Sequence, residues 1–279
     1  MNLRLLTVLI LAALALALTA CGGGKRDAAA PGDDLARVKQ SGVLRVGVKS
    51  DTPPFGFKRG ETLAGFDIDI ADALVQQMGL KDVTFVPVTS ANRLAKLQAG
   101  EVDCVIASMT ITRTRAREVD FTIPYFQDGQ ALLVKGDSAI QSYLDLGAKK
   151  VGAVKGSTSS ANMKQVAPEA QIVAFDSFVA LLAGLESGKV EAITSDQLIL
   201  QALAQSAKTK DLRIAGDRFS TEPYGIAVRK NQSRLRGALD EAVQGIWENG
   251  RWQLIFDTWF GPRAKFHTSS TFSITPYPR

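Results

Sequence analysis

Residues 65–75 read Gly-Phe-Asp-Ile-Asp-Ile-Ala-Asp-Ala-Leu-Val and begin the segment that decides the fold. Apolar residues at four-residue intervals predict a helix over residues 67–78, and they are Ile70, Leu74 and Met78. Gly79 predicts the end of that helix. β-rich runs precede and follow it, at residues 43–48 and 83–88. The stretch therefore predicts a β-α-β unit of an α/β fold.

The same alternation restarts later in the chain, where strand and helix patterns lie at residues 151–154, 172–175, 177–186 and 192–194. It is typical of mainly parallel sheets, and two similar units in succession predict two lobes. In open α/β sheets the ligand crevice lies beyond the carboxyl ends of the strands, so we expect binding residues directly after strands. Ser90 is predicted as the N-cap of a helix through Leu94 and Leu97.

The amino terminus has the composition of a targeting segment. Arg4 precedes an uncharged run that is shorter than the ~20 apolar residues of a membrane-spanning helix, which predicts a signal peptide over residues 1–20. Leu18-Thr19-Ala20-Cys21 resembles the bacterial lipobox, which implies that Cys21 is lipidated and anchors the protein to a bacterial membrane, in the periplasm or at the cell surface. An uncleaved anchor helix is the alternative. Residues 21–40 predict a flexible tether.

Composition argues against several classes of function. Cys104 is the thiol that remains once Cys21 is acylated, and its β-rich surroundings predict core packing. The chain has one His, in its tail, so we expect no His/Cys metal site, no His-based catalytic triad and no cofactor. The net charge of +5 comes from scattered Lys and Arg without interleaved aromatics, which argues against nucleic-acid binding.

Three stretches in register carry a family resemblance. Besides residues 65–75 they are Gly100-Glu101-Val102-Asp103 through Ile111-Thr112 to Asp120-Phe121, and Tyr224-Gly225-Ile226-Ala227 with Trp259-Phe260-Gly261. Over about residues 41–261 the chain resembles the bacterial polar-amino-acid-binding proteins, a periplasmic solute-binding family that serves ABC importers. The resemblance implies a type II periplasmic-binding-protein clamshell with mixed, mostly parallel sheets and two hinge crossings. It further implies a monomer that does no chemistry on its amino acid and delivers it to the membrane subunits of an ABC permease.

The expected lobes follow from the same resemblance. Lobe 1 comprises about residues 41–127 and 223–261, and lobe 2 comprises residues 128–222. The tail, residues 262–279, is rich in Ser, Thr and Pro without a helical period, which predicts an extended or disordered segment.

The candidate site suits the carboxylate and the ammonium group of an α-amino acid, since both must be paired once water is excluded. Thr112 is a predicted N-cap and Arg115 falls in the first turn, where free N–H groups and a guanidinium can bind a carboxylate. The resemblance implies that Arg115 and Thr158 bind the α-carboxylate, that Asp196 binds the ammonium group, and that Ser108 and Thr110 complete these contacts. The alternatives are that Arg115 is a solvent-exposed charge on a helix, and that Asp196 is an acidic residue that stabilises the start of a helix.

Two further residues belong to the predicted site. Ser159 lies beside Thr158 in a loop of small residues, where hydroxyl and N–H groups can reach a carboxylate. Phe55, or the loop next to it, would pack against the ligand body, and core packing is the alternative.

Lys49 and Arg93 are the candidates for ligand selection. Lys49 ends the first strand and Arg93 lies three residues past the predicted cap, as in glutamate- and aspartate-binding members of the family. Two cations at the distal end favour a side-chain carboxylate, because a neutral amide leaves one cation poorly paired. We therefore expect an acidic ligand. Pairing of both cations with Asp51 and Asp67, and a neutral polar ligand such as glutamine, are the alternatives.

Two other functions compete. Cyclohexadienyl dehydratases share this architecture and need a carboxylic acid in the cleft as a proton donor. At strand ends the sequence offers Asp196 for this role, which is already assigned to the ammonium group, so we expect no enzyme. A sensor domain is the second rival, and the lack of a second membrane span or further domain after Gly261 weighs against it.

Overall fold

Two five-stranded sheets, a small antiparallel sheet of three strands and packed helices make up the described part of the chain. The computed structural model describes residues 32–209 and 211–268. Its strands are β1 Val43–Val48, β2 Asp51–Thr52, β3 Gly56–Arg59, β4 Thr62–Ala64, β5 Asp82–Pro87, β6 Cys104–Val105, β7 Val119–Asp128, β8 Gln130–Lys135, β9 Lys150–Val154, β10 Gln171–Phe175, β11 Ala192–Asp196, β12 Leu212–Ala215 and β13 Glu222–Arg229. Its α-helices are α1 Asp34–Ser41, α2 Phe66–Gln77, α3 Arg93–Gln98, α4 Ser159–Val166, α5 Phe178–Glu186, α6 Gln197–Ser206, α7 Ser233–Glu248 and α8 Arg251–Phe260. Single 3-10 turns lie at Arg115–Arg117 and Tyr143–Asp145. The small sheet has the strand order β2-β3-β4.

Several predictions concern residues outside this description. They are the signal peptide over residues 1–20, the lipidated Cys21, the tether up to residue 31 and the tail from residue 269 onward. Within the described ranges, no helix combines the length and apolar character that a membrane span requires.

The two five-stranded sheets repeat one topology, with strand orders β5-β1-β6-β13-β7 and β10-β9-β11-β8-β12. In each order the first three strands are parallel and the last two pairings are antiparallel. The antiparallel share is therefore larger than the strand–helix alternation predicts. The chain passes between the sheets twice, from β7 to β8 and from β12 to β13. This is a two-lobed α/β fold, and we call the lobe of the first sheet lobe 1 and the other lobe 2. The predicted lobe boundaries stay a prediction.

The helix predicted from residues 65–75 is α2, and the strands on either side of it are β1 and β5. Gly65 makes its start possible, because a Cβ atom there would lie 2.1 Å from the carbonyl oxygen of Phe55. Its φ of 141° also lies where L side chains are strained. The N–H groups of Phe66 and Asp67 then donate to the carbonyl oxygens of the preceding loop. The loop after β1 is thereby held against the start of α2.

The region after β5 differs from the prediction. The N–H of Thr89 donates to Asn92 at 2.8 Å, and the N–H of Asn92 donates back to the Thr89 hydroxyl at 3.2 Å. α3 therefore starts at Arg93 with Asn92 in the capping position. The prediction of Ser90 as the N-cap was wrong, because the Thr89–Asn92 pair binds these N–H groups and leaves the Ser90 hydroxyl free for another contact.

Residues 34–40 are not a flexible tether. They form most of α1, whose N-cap Asp33 accepts a hydrogen bond from the N–H of Ala36 and whose Leu35 and Val38 side chains are buried. Arg37 donates to Asp103 at 2.6 Å, which ties α1 to the start of β6. The tether prediction was wrong for this part because the Gly- and Ala-rich composition ends before the helix begins.

The first part of the tail is also ordered. Phe266 is buried against the core, and the N–H of Thr268 donates to the carbonyl oxygen of Phe260 at 3.0 Å. The prediction of an extended or disordered tail was therefore wrong for residues 262–268. A buried aromatic side chain and hydrogen bonds to Phe260 and Gln205 attach this segment, and such isolated contacts leave no periodic pattern in the sequence.

The core prediction for Cys104 is confirmed, since the side chain is fully buried on β6. Burial, with the negative charge of Asp103 as the second cause, raises the pKa of its thiol well above the usual range. Cys104 is therefore an unreactive packing residue.

Candidate functional site

Segments that follow strands of both sheets line a narrow cavity of about 20 Å³. Its lining residues are Ser90, Arg93, Ser108, Thr110, Arg115, Ser157, Thr158, Ser159, Phe178, Ser195, Asp196 and Ile199. Seven of the nine predicted binding residues are in this set, and Lys49 and Phe55 are not. The additional serines could have been found from the sequence, because Ser157 and Ser195 directly precede predicted residues. In the described ranges, no group of three or more His, Cys, Asp or Glu could hold a metal ion.

The lobes meet at Gly156, in the loop after β9. Its carbonyl oxygen accepts from Arg115 at 2.9 Å and from Arg93 at 3.5 Å, and both arginines belong to lobe 1. A Cβ atom on Gly156 would lie 2.4 Å from the carbonyl oxygen of Ser90, again across the cleft. The cleft is therefore closed in this structure, and this contact requires a glycine.

Arg115 and neighbouring backbone groups form a site for a carboxylate. Arg115 donates through Nη1 to the carbonyl oxygen of Thr110 at 2.7 Å, which fixes its guanidinium at the cavity wall. Its N–H donates to the hydroxyl of Thr112 at 3.1 Å. The prediction of Thr112 as an N-cap was nevertheless wrong, because the segment that follows is a single 3-10 turn with Thr114 in the capping position. The N–H groups of Thr110 and Thr158 donate to no group among the described residues. A fixed guanidinium with two such N–H groups suits a bound carboxylate.

Asp196 is the acidic group of the cavity. It ends β11, and the hydroxyl of Tyr224 on β13 donates to its Oδ2. Burial, with the negative charges of Glu222 and Asp128 as further causes, raises the pKa of Asp196 to about 8. Burying another anion beside Asp196 would be unfavourable, whereas a ligand ammonium group would compensate its charge.

Ser108 is held in place by the segment that decides the fold. Its N–H donates to Asp67 Oδ2 at 2.8 Å, and Tyr125 donates to the other oxygen of Asp67 at 2.8 Å. Ser108 has a φ of 42°, which is strained for a residue other than glycine and exists here because the surroundings impose it. Asp67, at the start of α2, therefore positions a cavity residue of the neighbouring loop. From the sequence, Asp67 was expected only as a possible partner of Lys49 and Arg93, whereas it binds Ser108 and Tyr125.

Arg93 faces the cavity as predicted, whereas Lys49 does not line it. Arg93 donates to the carbonyl oxygen of Ala107 at 2.7 Å. Burial, followed by the positive charge of Arg115, lowers the pKa of Arg93 to about 9, so it stays charged at neutral pH. Lys49 lies behind Ser90 and donates to its hydroxyl at 2.8 Å. Burial, followed by the positive charge of Arg93, lowers the pKa of Lys49 to about 7, so at neutral pH only about half of its positive charge remains.

The prediction that Phe55 packs against the ligand differs from the structure. Phe55 is fully buried in lobe 1, with its ring centroid 5.2 Å from that of Tyr224 and 5.3 Å from that of Phe126. The core alternative therefore applies. Phe178, at the start of α5, is the aromatic residue that lines the cavity, and the ammonium group of Lys49 lies 5.1 Å from its ring centroid.

A buried carboxyl group beside the cavity was missed by the sequence analysis. Glu222, the first residue of β13, accepts hydrogen bonds from Thr110 at 2.6 Å, Thr158 at 2.9 Å and Asn162 at 2.6 Å. Its side chain is almost completely buried. The expectation that Asp196 is the only acid available at a strand end was therefore wrong. The available signal was the position of Glu222 two residues before the Tyr224-Gly225 motif.

Comparison with known proteins decides the family. Residues 44–262 match the bacterial extracellular solute-binding proteins, family 3. The chain belongs to this family. A glutamine-binding protein of a Bacillus subtilis ABC transporter is 40% identical over 87% of this chain and 91% of the relative. A glutamate-binding protein of Corynebacterium efficiens is 30% identical over 85% of this chain and 83% of the relative.

Solved structures give the same fold. An ancestral arginine-binding protein bound to glutamine has a TM-score of 0.75 at 42% identity, covering 79% of this chain and 98% of the other. An ancestral amino-acid-binding protein, a precursor of cyclohexadienyl dehydratase, has a TM-score of 0.74 at 33% identity, covering 81% and 99%. This member of the family is an amino-acid-binding protein of an ABC transporter and acts outside the cytoplasm.

Proposed function

We propose that this solute-binding protein captures glutamine between its lobes as a monomer and delivers it to the membrane subunits of an ABC permease. The expected acidic ligand depended on two cations at the distal end of the pocket. Lys49 lies behind Ser90, donates to its hydroxyl, and has its pKa lowered to about 7. One full cation, Arg93, remains, and its guanidinium already donates to a carbonyl oxygen at 2.7 Å. The position of Lys49 behind Ser90 is the observation that carries this proposal. With Lys49 outside the cavity lining, Arg93 is the cation at the side-chain end, and one cation is enough to pair the oxygen of a side-chain amide.

The ligand's backbone groups are assigned to the other end of the cavity. Arg115 and the N–H groups of Thr110 and Thr158 hold the α-carboxylate. Asp196 accepts from the ammonium group, beside Ser108. The glutamine-binding relative at 40% identity supports the same ligand. An ancestral arginine-binding protein at 42% identity is solved with glutamine and also with arginine, so arginine is included in the test below.

Calorimetry of the chain without its signal peptide tests the ligand. Glutamine should bind most tightly among glutamine, glutamate, asparagine, arginine, histidine and cystine, with glutamate weaker by about tenfold or more. Tighter binding of glutamate would overturn the glutamine assignment and restore the acidic one. Failure of every amino acid to bind would overturn the proposed capture itself.

Arg115 and Arg113 offer a matched pair of variants. Arg115→Ala removes a contact common to all ligands, so it should weaken every amino acid together by about 30-fold or more. Arg113→Ala removes the same side chain from an exposed position two residues away and should leave the affinities unchanged. A change in ligand ranking with Arg115→Ala would contradict its assignment to the α-carboxylate.

We also propose that Cys21 carries a lipid anchor, on the strength of the Leu18-Thr19-Ala20-Cys21 stretch. Cys21→Ser should abolish palmitate labelling and release the protein from membrane fractions. Cys104→Ala is the control, because Cys104 is buried and its loss should leave the label in place. Equal labelling of the Cys21→Ser chain would contradict the anchor.

A dehydratase is the second candidate, because the pKa of Asp196 at about 8 keeps a protonated carboxyl group in the cleft at neutral pH. The similarity to a precursor of cyclohexadienyl dehydratase supports testing it. Turnover of prephenate or arogenate by the purified protein, lost in Asp196→Asn, would establish the enzyme. No turnover leaves capture for transport as the function.

A further inference from the structure

We propose that Glu222 is a positioning residue that holds the two lobes closed without touching the ligand. The proposal rests on the capture of an amino acid between the lobes. Glu222 is the first residue of β13, where the chain returns to lobe 1 from lobe 2. Its side chain is 2% exposed and is not part of the cavity lining. It therefore lies at a crossing between the lobes, behind the residues that face the ligand.

The carboxyl group of Glu222 accepts hydrogen bonds from residues of both lobes. Oε2 accepts from the Thr110 hydroxyl at 2.6 Å and from the Thr158 hydroxyl at 2.9 Å. Thr110 belongs to lobe 1 and Thr158 to lobe 2. Oε1 accepts from Asn162 of α4 at 2.6 Å and from Ser220 at 2.7 Å. One side chain thus connects the cavity walls of the two lobes.

The lobe 2 side of this connection is itself braced. Gln130, at the start of β8, donates to the Thr158 hydroxyl at 2.8 Å and accepts from Asn162 at 3.1 Å. Thr158 therefore has its hydroxyl hydrogen directed at Glu222 while it accepts from Gln130. Opening the cleft must separate Thr110 from Thr158 and Asn162, so at least one buried hydrogen bond to Glu222 is lost on opening. Bonds to a carboxylate are among the stronger ones, so this loss favours the closed state.

The same geometry limits what the threonine hydroxyls can do. Each has a single hydrogen, and both hydrogens point to Oε2 of Glu222. Toward the cavity, Thr110 and Thr158 present only hydroxyl lone pairs. A ligand carboxylate must therefore be held by Arg115 and by backbone N–H groups. Glu222 aligns the cavity walls that carry Thr110 and Thr158 without contacting the ligand.

The variant that tests this is Glu222→Gln, which keeps the size of the side chain. Opening can be followed with spin labels on Leu144→Cys in lobe 2 and Leu254→Cys in lobe 1, both exposed positions, in a chain that also carries Cys21→Ser. The unlabelled Cys104 is fully buried. In the ligand-free protein, Glu222→Gln should move the distance distribution toward longer, open separations. This variant also removes the repulsion between Glu222 and Asp196, which by itself would favour closure, so a shift toward opening isolates the hydrogen bonds.

Ligand kinetics give the second measurement. Glu222→Gln should raise the glutamine dissociation rate about tenfold and leave the association rate unchanged, because the bonds form only after closure. The factor should be the same for every amino acid that binds. Asn162→Ala removes one lobe 2 donor and should act in the same direction, and the double variant should show less than the sum of the two effects.

Asp120→Asn is the matched control. Asp120 pairs with Lys230 at 2.7 Å within lobe 1, so its loss should change neither the distances nor the dissociation rate. Unchanged distances in Glu222→Gln would overturn the proposal, and so would a dissociation rate equal to that of the control or a changed ligand ranking. If the unmodified protein binds no amino acid, the proposed capture fails, while the ligand-free distances still decide the role of Glu222.

Discussion

Two buried residues, Asp196 and Lys49, make ligand binding sensitive to pH. The pKa of Asp196 is raised to about 8, and the pKa of Lys49 is lowered to about 7. Burial is the leading cause of both shifts, because it disfavours the charged form of an acid and of a base alike. Asp196 lines the cavity and is assigned to the ligand's ammonium group, whereas Lys49 lies behind Ser90 and acts on the side-chain end only through its charge, so their effects can be separated.

Affinity for glutamine should fall as the pH drops below about 8. An ammonium group binds the ionised form of Asp196, and with a raised pKa the carboxyl group holds its proton until the pH passes about 8. Binding at lower pH must release that proton, so the affinity should fall by about tenfold per pH unit. Calorimetry between about pH 6 and pH 8 measures this slope. Asp196→Asn should bind far more weakly and without the slope, and a flat profile in the unmodified chain would contradict the assignment of Asp196.

The ratio of glutamate to glutamine affinity should isolate Lys49, because the Asp196 contact is common to both ligands and cancels. Lys49 gains its proton as the pH falls through about 7, and a charged Lys49 favours the anionic side chain. The ratio should therefore rise by up to about tenfold as the pH falls from about 8 to about 6. Lys49→Met should abolish the rise, whereas Lys58→Met, on the exposed part of β3, should keep it. If the ratio of glutamate to glutamine affinity in the unmodified protein does not change with pH, the proposed role of Lys49 is wrong.

Among the elements, α1 is the first helix of the described residues, and it packs on lobe 1. Leu35 and Val38 bury their side chains, and Asp34 pairs with Arg229 of β13 at 2.5 Å. The helix is short, so its stability comes from packing on lobe 1 rather than from its own hydrogen bonds. Solubilised chains should therefore begin before Asp33 to keep the N-cap of α1.

Leu35→Ala should lower the free energy of unfolding by about 2–4 kcal/mol, because it removes buried apolar atoms and leaves a cavity. Lys39→Ala, on the exposed side of the same helix, should change it by less than about 0.5 kcal/mol. Urea unfolding measures both values. Equal stability of the Leu35→Ala protein and the parent chain would contradict the packing of α1 on lobe 1 and would support the original prediction of a flexible tether.

The whole molecule should become more compact when glutamine binds. The proposed ligand contacts Arg115 and Ser108 in lobe 1 and Asp196 in lobe 2, so it favours the closed state by its differential affinity. Small-angle scattering should show a smaller radius of gyration with saturating glutamine. Asp196→Asn at the same glutamine concentration should show no change. An unchanged radius in the unmodified chain, under conditions where calorimetry reports full binding, would contradict lobe closure.

The amino-acid sequence alone determined the features that depend on local patterns. The spacing of Ile70 and Leu74 placed α2, the β-rich run before it placed β1, and the helical pattern over residues 177–186 placed α5. Residues directly after strands formed most of the cavity lining, because the carboxyl ends of parallel strands meet at one edge of each sheet. The ordered structure of α1 and of residues 262–268 was not predicted, because it comes from a few side chains that pack on distant elements.

Tertiary structure alone decided the environment of each charged group. Lys49 and Ser90 are 41 residues apart, and Thr110 and Glu222 are 112 residues apart, so no local pattern reveals that they bond. These contacts remove Lys49 from the pocket wall and place Glu222 between the lobes. The charge of a buried side chain depends on its desolvation and its neighbours, and both are set by how distant segments pack rather than by the residues beside it in the chain.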